Sequence, residues 1–220
     1  MSVAAPTVEA LPGLVWQLAD SAFPGGGFAH SLGLEAAWQH GEIRNEVELA
    51  GYLEISLRQA ACSSVPFVTA VYDDPTSLPD VDRRADIWLI NPVANRASRL
   101  QGRALHSSAW RIFRVSLENT PFRHLSPVLG ALLKSMSFSR LDSVRLSLFL
   151  HLRGLLSAAV RLGIVGPLEA QSIQFDRQRL LEDLVVTSGQ LSLNDVSQMA
   201  PLHDIWQANH DRLTSRLFQS

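Results

Sequence analysis

Between Ser139 and Gly163 the apolar residues Val144, Leu148, Leu152, Leu155, Ala159 and Leu162 recur at spacings of four, four, three, four and three. That interval is the pitch of an α-helix turning one face to a core. Ser139, with Asp142 three residues on, supplies a capping box; Gly163 supplies an end, and Arg161 suits the negative pole of the helix dipole. A stripe this long has to be covered by elements of similar length. No segment alternates with period two over a useful length, and turn-bounded β-branched runs are lacking. The expected fold is therefore all-α: a single-domain bundle of about nine to ten helices over residues 1–220, with short loops and no sheet.

The remaining helices follow from the same periodicity. Residues 1–7 are small and expected to fray, and Val8–Ala19 reads as a helix interrupted near Pro12-Gly13. Ser31–His40 is a short helix stopped by Gly41. Asn45, with Glu48 three residues on, caps a helix carrying Leu49, Leu53, Leu57, Ala60 and Ala61. Asp82–Asn91 is short and stops before Pro92. Val93–Glu118 is long, with a narrow stripe through Val93, Ala97, Leu100, Ala104 and Ser108. Gly102 in its middle costs about 1 kcal/mol of helix propensity against alanine, so a close neighbour is expected there. Arg96, Arg99 and Arg103 occupy the adjoining face, as a solvated surface or as grips for a shared partner. Val128–Met136, the stretch opened by Gly166-Pro167, and Asp176–Val186 are further helices. Leu202–Phe218 reads as a final amphipathic helix whose seam is Leu202, Trp206, Asn209, Leu213 and Leu217. Residues 199–220 either dock on the domain or order on a partner, with Trp206, Arg216 and Phe218 as anchors.

Composition narrows the setting. With 46% apolar residues, 220 residues suffice for one filled core. The single Cys62 excludes an internal disulfide and fits a reducing compartment, and no basic segment precedes the modest apolar run near the start. A cytoplasmic location is expected. The most apolar run, Leu146–Leu156, is broken by His151 and Arg153 and is too short to span a bilayer, so no membrane partner is expected. Charge is segregated: residues 1–82 balance to −9, 83–163 to +10 and 164–220 to −3. Arginine makes up nearly all of the basic middle, which favours fixed carboxylate pairing, and no aromatic-interleaved basic ribbon suggests nucleic acid.

Pro24-Gly25-Gly26-Gly27-Phe28-Ala29-His30-Ser31-Leu32-Gly33-Leu34-Glu35 is a glycine turn feeding a helix. It lacks the Gly-Lys-Ser/Thr of a phosphate loop, a clear strand before it, and a Gly-x-Ser-x-Gly elbow. The seven histidines form no His-x-x-x-His pair; His203 and His210 lie two turns apart, about 10 Å along a helix, too far to chelate one ion alone. His30 and Ser31 are adjacent and diverge on a helix, and Cys62 reads as a small core side chain. No catalytic residue, metal ligand or cofactor is assigned, and no enzyme is expected. The alternative reading is a metal-dependent helical hydrolase with histidines gathered across a dimer.

The turn resembles the N-terminal signature of the urease accessory protein UreF family, Pro-x-Gly-Gly-Phe-x-x-Ser-x-Gly-Leu-Glu, at Pro24, Gly26, Gly27, Phe28, Ser31, Gly33, Leu34 and Glu35. Asn95–Leu105 resembles the family's mid-chain Arg-Ala-Ser-x-x-Gln-Gly-x-Ala-Leu segment, and Ser157–Leu168 its arginine-leucine-glycine helix end. Ala200–Ile205, His210 and Ser215–Ser220 resemble its C-terminal signature. Phe122-Arg123-His124 departs from the pattern, which often has a glycine just ahead, and this puts the local turn in question. The resemblance implies an all-α, commonly homodimeric adaptor without catalysis of its own. Such an adaptor bridges UreD (UreH in some species) and the GTPase UreG, allowing GTP-dependent nickel insertion into apo-urease. It also implies protein-interface roles. Pro24, Gly26, Gly27, Phe28, His30, Ser31 and Glu35, with Arg96, Gln101 and Arg103, would serve the dimer or the UreG side. Pro201, Asp204, Trp206, His210, Leu213, Arg216, Leu217 and Phe218 would chiefly serve the UreD side.

Overall fold

The computed structural model describes residues 13–220, so the expected fraying of 1–7 and the first residues of the opening helix lie outside the described residues. Eleven α-helices are present and no strand occurs among the described residues. They are α1 (Gly13–Ala19), α2 (Leu34–Gln39), α3 (Glu46–Ser63), α4 (Val65–Asp73), α5 (Leu78–Trp88) and α6 (Pro92–Phe113). There follow α7 (Leu125–Ser135), α8 (Arg140–Arg161), α9 (Pro167–Asp176), α10 (Gln178–Ser188) and α11 (Pro201–Asn209). The all-α bundle expected from periodicity is the one observed.

Helix α8 is the axis. The Ser139 side chain accepts from the Asp142 N–H at 3.0 Å, as a capping box requires. Val144, Leu148, Leu152, Leu155 and Ala159 are fully buried. They pack with Leu49, Leu53 and Leu57 of α3 and Leu181 and Val185 of α10 into one cluster. Its length and apolar content alone would let α8 cross a bilayer, but half of that stretch is buried in this core. A second cluster joins Leu105 of α6, Val128, Leu132 and Leu133 of α7, and Leu146 on another side of α8. Asn45 caps α3 through the Glu48 N–H as expected, although the Glu48 carboxylate takes the N–H of Arg44 rather than that of Asn45.

Several boundaries move for physical reasons. Pro79 sits inside the first turn of α5, where a missing N–H costs nothing, so that helix begins at Leu78 rather than Asp82. Helix α6 stops at Phe113, not Glu118, because Arg114 turns left-handed at φ 61° and closes the end. Its buried face runs Val93, Ala97, Gln101, Leu105 and Ser108, one residue off the expected stripe, and leaves Leu100 39% exposed. The largest correction is at the end of the chain. The single helix expected over Leu202–Phe218 stops at Asn209, a 3-10 turn covers His210–Arg212, and Leu213–Ser220 continues without a helix. The spacing of Leu213 and Leu217 is helical, but the segment's backbone hydrogen bonds go to other partners.

Candidate functional site, a clasp between two distant segments

Those partners are in the glycine turn. Glu35, in the first turn of α2 and 1% exposed, holds the last segment with both carboxylate oxygens. Oε1 accepts from the Leu217 N–H at 2.6 Å; Oε2 accepts from the Phe218 N–H at 3.2 Å and from His210 Nε2 at 3.0 Å. The backbones also pair directly: the Gln219 N–H donates to Ala29 O at 2.8 Å and the Ser31 N–H to Ser220 O at 2.6 Å. The Ser31 hydroxyl donates to the same oxygen, and His30 Nδ1 lies against Ser220 Oγ. A buried carboxylate is stable only when its lone pairs are filled, and here two residues some 180 positions downstream help to fill them.

Aromatic and cationic groups close the clasp. The Arg161 guanidinium, at the end of α8, lies 3.8 Å from the Phe28 ring centre and 4.2 Å from that of Phe218. The same side chain donates to Phe28 O. Arg161 thus ties turn, axis and tail together by cation–π contacts whose worth grows with burial. Gly33, at φ 87°, starts α2; a Cβ there would lie 3.1 Å from Tyr52 Oη and 3.2 Å from Gln207 N. Only glycine fits both that conformation and the close passage of α11. Pro24, Gly26 and Gly27 lie over α6: the Ser108 hydroxyl donates to Pro24 O, and Gly26 meets Gln101 and Ala104.

The sequence-derived interface residues therefore divide. His30, Ser31, Glu35, Gln101, His210 and Phe218 are buried inside the protomer. Phe28, Arg96, Arg103, Pro201, Arg216 and Leu217 are exposed, while Asp204, Trp206 and Leu213 are half-buried. Arg96 pairs with Asp211 at 2.8 Å, so α6 also grips the segment after α11. The two groups that sequence reasoning assigned to different surfaces adjoin one another.

Further anchors went unread in the sequence. Gln59 accepts from the N–H groups of Met199 and Ala200 through Oε1 and donates to Ser197 O, which fixes the lead into α11. His203 stacks on Tyr52 at 4.0 Å. Fully buried Asp82 collects the Thr120 hydroxyl and the N–H groups of Phe122, Arg123 and His124. That collar holds Arg123 at φ 61°, the left-handed conformation for which a glycine would ordinarily be used. His124 then bridges Asp86 and Ser98, each at 3.1 Å. Asp82 and Asp86 are one turn apart on α5, the one signal that could have pointed to this collar.

Between the glycine turn, α3, α6, α8 and α11 lies a cavity of about 810 Å³ that includes His30, His151 and His203 in its lining. Burial pushes all three imidazoles down to about 4, so they are neutral at physiological pH. His151 Nε2 meets Ser56 Oγ at 2.8 Å. Among the described residues no three His, Cys, Asp or Glu side chains are close enough to hold an ion together. The glycine turn, α2 and the segment after α11 thus spend their polar groups on one another.

The UreF family model matches residues 43–178, beginning after the glycine turn and ending before α11. Pairwise matches extend further. The chain is 32% identical over 216 residues to urease accessory protein F of Oryza sativa subsp. indica, covering 92% of this chain and 83% of that one. It is 33% identical over 219 residues to urease accessory protein F of Arabidopsis thaliana, with 93% and 91% covered. With urease accessory protein UreF of Trichodesmium erythraeum it shares 32% over 219 residues, with 92% and 94% covered.

Proposed function

This chain belongs to the UreF family of urease accessory proteins, and on that premise we propose that it serves urease maturation as a non-catalytic adaptor. It bridges UreD (UreH) and the GTPase UreG so that nickel enters apo-urease in step with GTP hydrolysis. It works in the cytoplasm as a homodimer and keeps neither nucleotide nor nickel as a resident group. The observation that supports this reading is the clasp. A buried carboxylate and an arginine between two rings hold in place a segment whose outer side is exposed, with Leu217 52% exposed and Arg216, 45% exposed, in a long surface pair with Asp211 at 3.5 Å. Ordering a segment before it meets a partner lowers the entropy lost on binding, which suits a presented contact. The hydrolase alternative needs histidines free to meet across a dimer, whereas His30, His124 and His210 are buried within the protomer.

Co-purification with UreD and UreG, with and without GTP and magnesium, tests the proposal. Arg216→Ala combined with Leu217→Ala alters only exposed side chains, and should lose UreD while circular dichroism stays unchanged. Phe218→Ala should lose it too, by unseating the segment. Undiminished UreD binding by both variants would reject the assignment of this surface. Failure of the wild-type chain to capture either protein would reject the adaptor role.

A further inference from the structure

Helix α6 carries a charge pattern that the clasp uses only at one end. Arg96, Arg99, Arg103 and Trp110 follow one another at intervals of three, four and seven, which places them along one side of the helix, and Arg114 is its left-handed cap. At 1.5 Å per residue that stripe is about 21 Å long. Its first arginines are occupied: Arg96 by Asp211, Arg99 by Asp86. Arg103, Arg111 and Arg114 are exposed, and none of them has an ion pair among the described residues. Trp110, between them, is 57% exposed.

Elsewhere in the basic middle of the chain the arginines are largely engaged. Arg140 pairs with Asp73, Arg145 with Asp142 and Glu182, Arg153 donates to Ala19 O, and Arg161 is held between rings. Arg84, Arg123 and Lys134 likewise have no carboxylate partner among the described residues, but each touches Leu193 O, Asn119 or the Tyr72 ring, so the guanidinium groups of this stretch left without any such contact are Arg103, Arg111 and Arg114 at the second half of α6. Beside it Arg96, Arg99, Arg103 and the 88% exposed Ile90 line an open groove of about 550 Å³.

We propose that α6 from Arg103 onward, with its cap residue Arg114, is a docking surface for a carboxylate-rich face of a partner protein, with the Trp110 indole entering an apolar recess among those carboxylates. Guanidinium forks on a rigid helix present donors in fixed planes, which matches carboxylates bidentately. An exposed tryptophan flanked by arginines has the composition of an interface hot spot. A single indole offers no stacking platform for successive bases, and Ser107 and Arg111 interrupt any apolar face that could lie in a lipid surface. The proposal rests on the adaptor reading only for the choice of partners to test.

The test uses the full chain with Arg103→Glu, Arg111→Glu and Arg114→Glu combined, and separately Trp110→Ala. Equilibrium binding to purified UreD and to purified UreG is measured at low and high salt, with Arg83→Glu/Arg84→Glu as a control of matched sign. All these side chains are exposed, so circular dichroism should keep its helical content, while Glu at the negative pole of α6 and loss of the Arg83–Asp80 pair should lower Tm only slightly. The triple variant should bind one of the two proteins at least thirtyfold more weakly at low salt, and its remaining affinity should no longer fall with salt. Trp110→Ala should weaken the same partner about tenfold. Wild-type binding that the triple variant retains would overturn this surface alone. Self-association, or capture by phosphatidylserine vesicles or duplex DNA, lost in the triple variant without loss of UreD or UreG would overturn the choice of partner. A wild-type chain that binds neither protein would overturn the adaptor reading and this surface together.

Discussion

Replacing Glu35 by glutamine keeps the size and shape of the side chain and removes one acceptor. The carboxylate serves three donors, Leu217 N–H, Phe218 N–H and His210 Nε2, across both oxygens. A carboxamide has one oxygen, which can take two of them at best, and its NH₂ would face the third donor head on. Hydrogen bonds to a charged group are worth about 1.5–3 kcal/mol each, and a buried donor left unpaired costs about 1–3 kcal/mol. With partial relaxation, Glu35→Gln should weaken the seating of residues 217–220 by about 2–4 kcal/mol. By the factor of ten per 1.4 kcal/mol, hydrogen exchange at the Leu217 and Phe218 amides should accelerate roughly 30- to 1000-fold. Amides in the middle of α3 and α8 should keep their protection, because neither helix borrows a bond from Glu35. Unchanged exchange at Leu217 and Phe218 would refute the claim that this carboxylate seats the segment.

Mid-helix glycines give a contrast of opposite signs. A Cβ on Gly102 would come 1.9 Å from Arg123 O, so Gly102→Ala should lower stability by about 1–3 kcal/mol despite its gain in propensity, whereas Gly154, with nothing within 4 Å, should gain up to about 1 kcal/mol as alanine. Urea denaturation reads both; a stabilised Gly102→Ala would mean that α6 and the 123–124 backbone do not touch. The cavity histidines set an acid limit: in the unfolded chain they take up protons from about pH 6.5 downward, while the folded chain, with His30, His151 and His203 at about 4, does not. Stability should therefore be full above about pH 6.5 and fall as pH drops toward 4, by up to about 1.4 kcal/mol per pH unit for each histidine. His151→Gln should flatten that slope between pH 6.5 and 5, before the carboxylates titrate, and an unaltered slope would exclude His151 as a contributor.

The parts legible in the sequence were those that local chemistry decides. Ser139 and Asp142, the stripe from Val144 to Leu162, and Asn45 before α3 announce helices whose caps and faces depend on neighbours within a turn or two. Gly102 announced a close approach but not its object, the Arg123 carbonyl. Past Asn209 the local signal misled. Leu213 and Leu217 keep helical spacing, yet the amides of Leu217, Phe218 and Gln219 are taken by Glu35 and Ala29, and a long-range bond set overrides a weak preference. The clasp itself could not be read from periodicity, because its two halves are joined by no pattern in the intervening residues. The Asp82 collar was hidden for the same reason: an aspartate that collects three backbone N–H groups looks, in sequence, like any charge on a helix.

The span of the clasp also has a consequence for biosynthesis. Glu35 leaves the ribosome well before Leu217 has been joined to the chain, so throughout most of translation its carboxylate has no tail to hold and must remain hydrated. Helices α3 to α10 can pack during that interval, since most of their core contacts are with one another. The last segment can then seat only after Leu217 and Phe218 have been joined, and a nascent chain stalled before Leu217 would have its bundle but lack the contact face carried by Arg216 and Leu217.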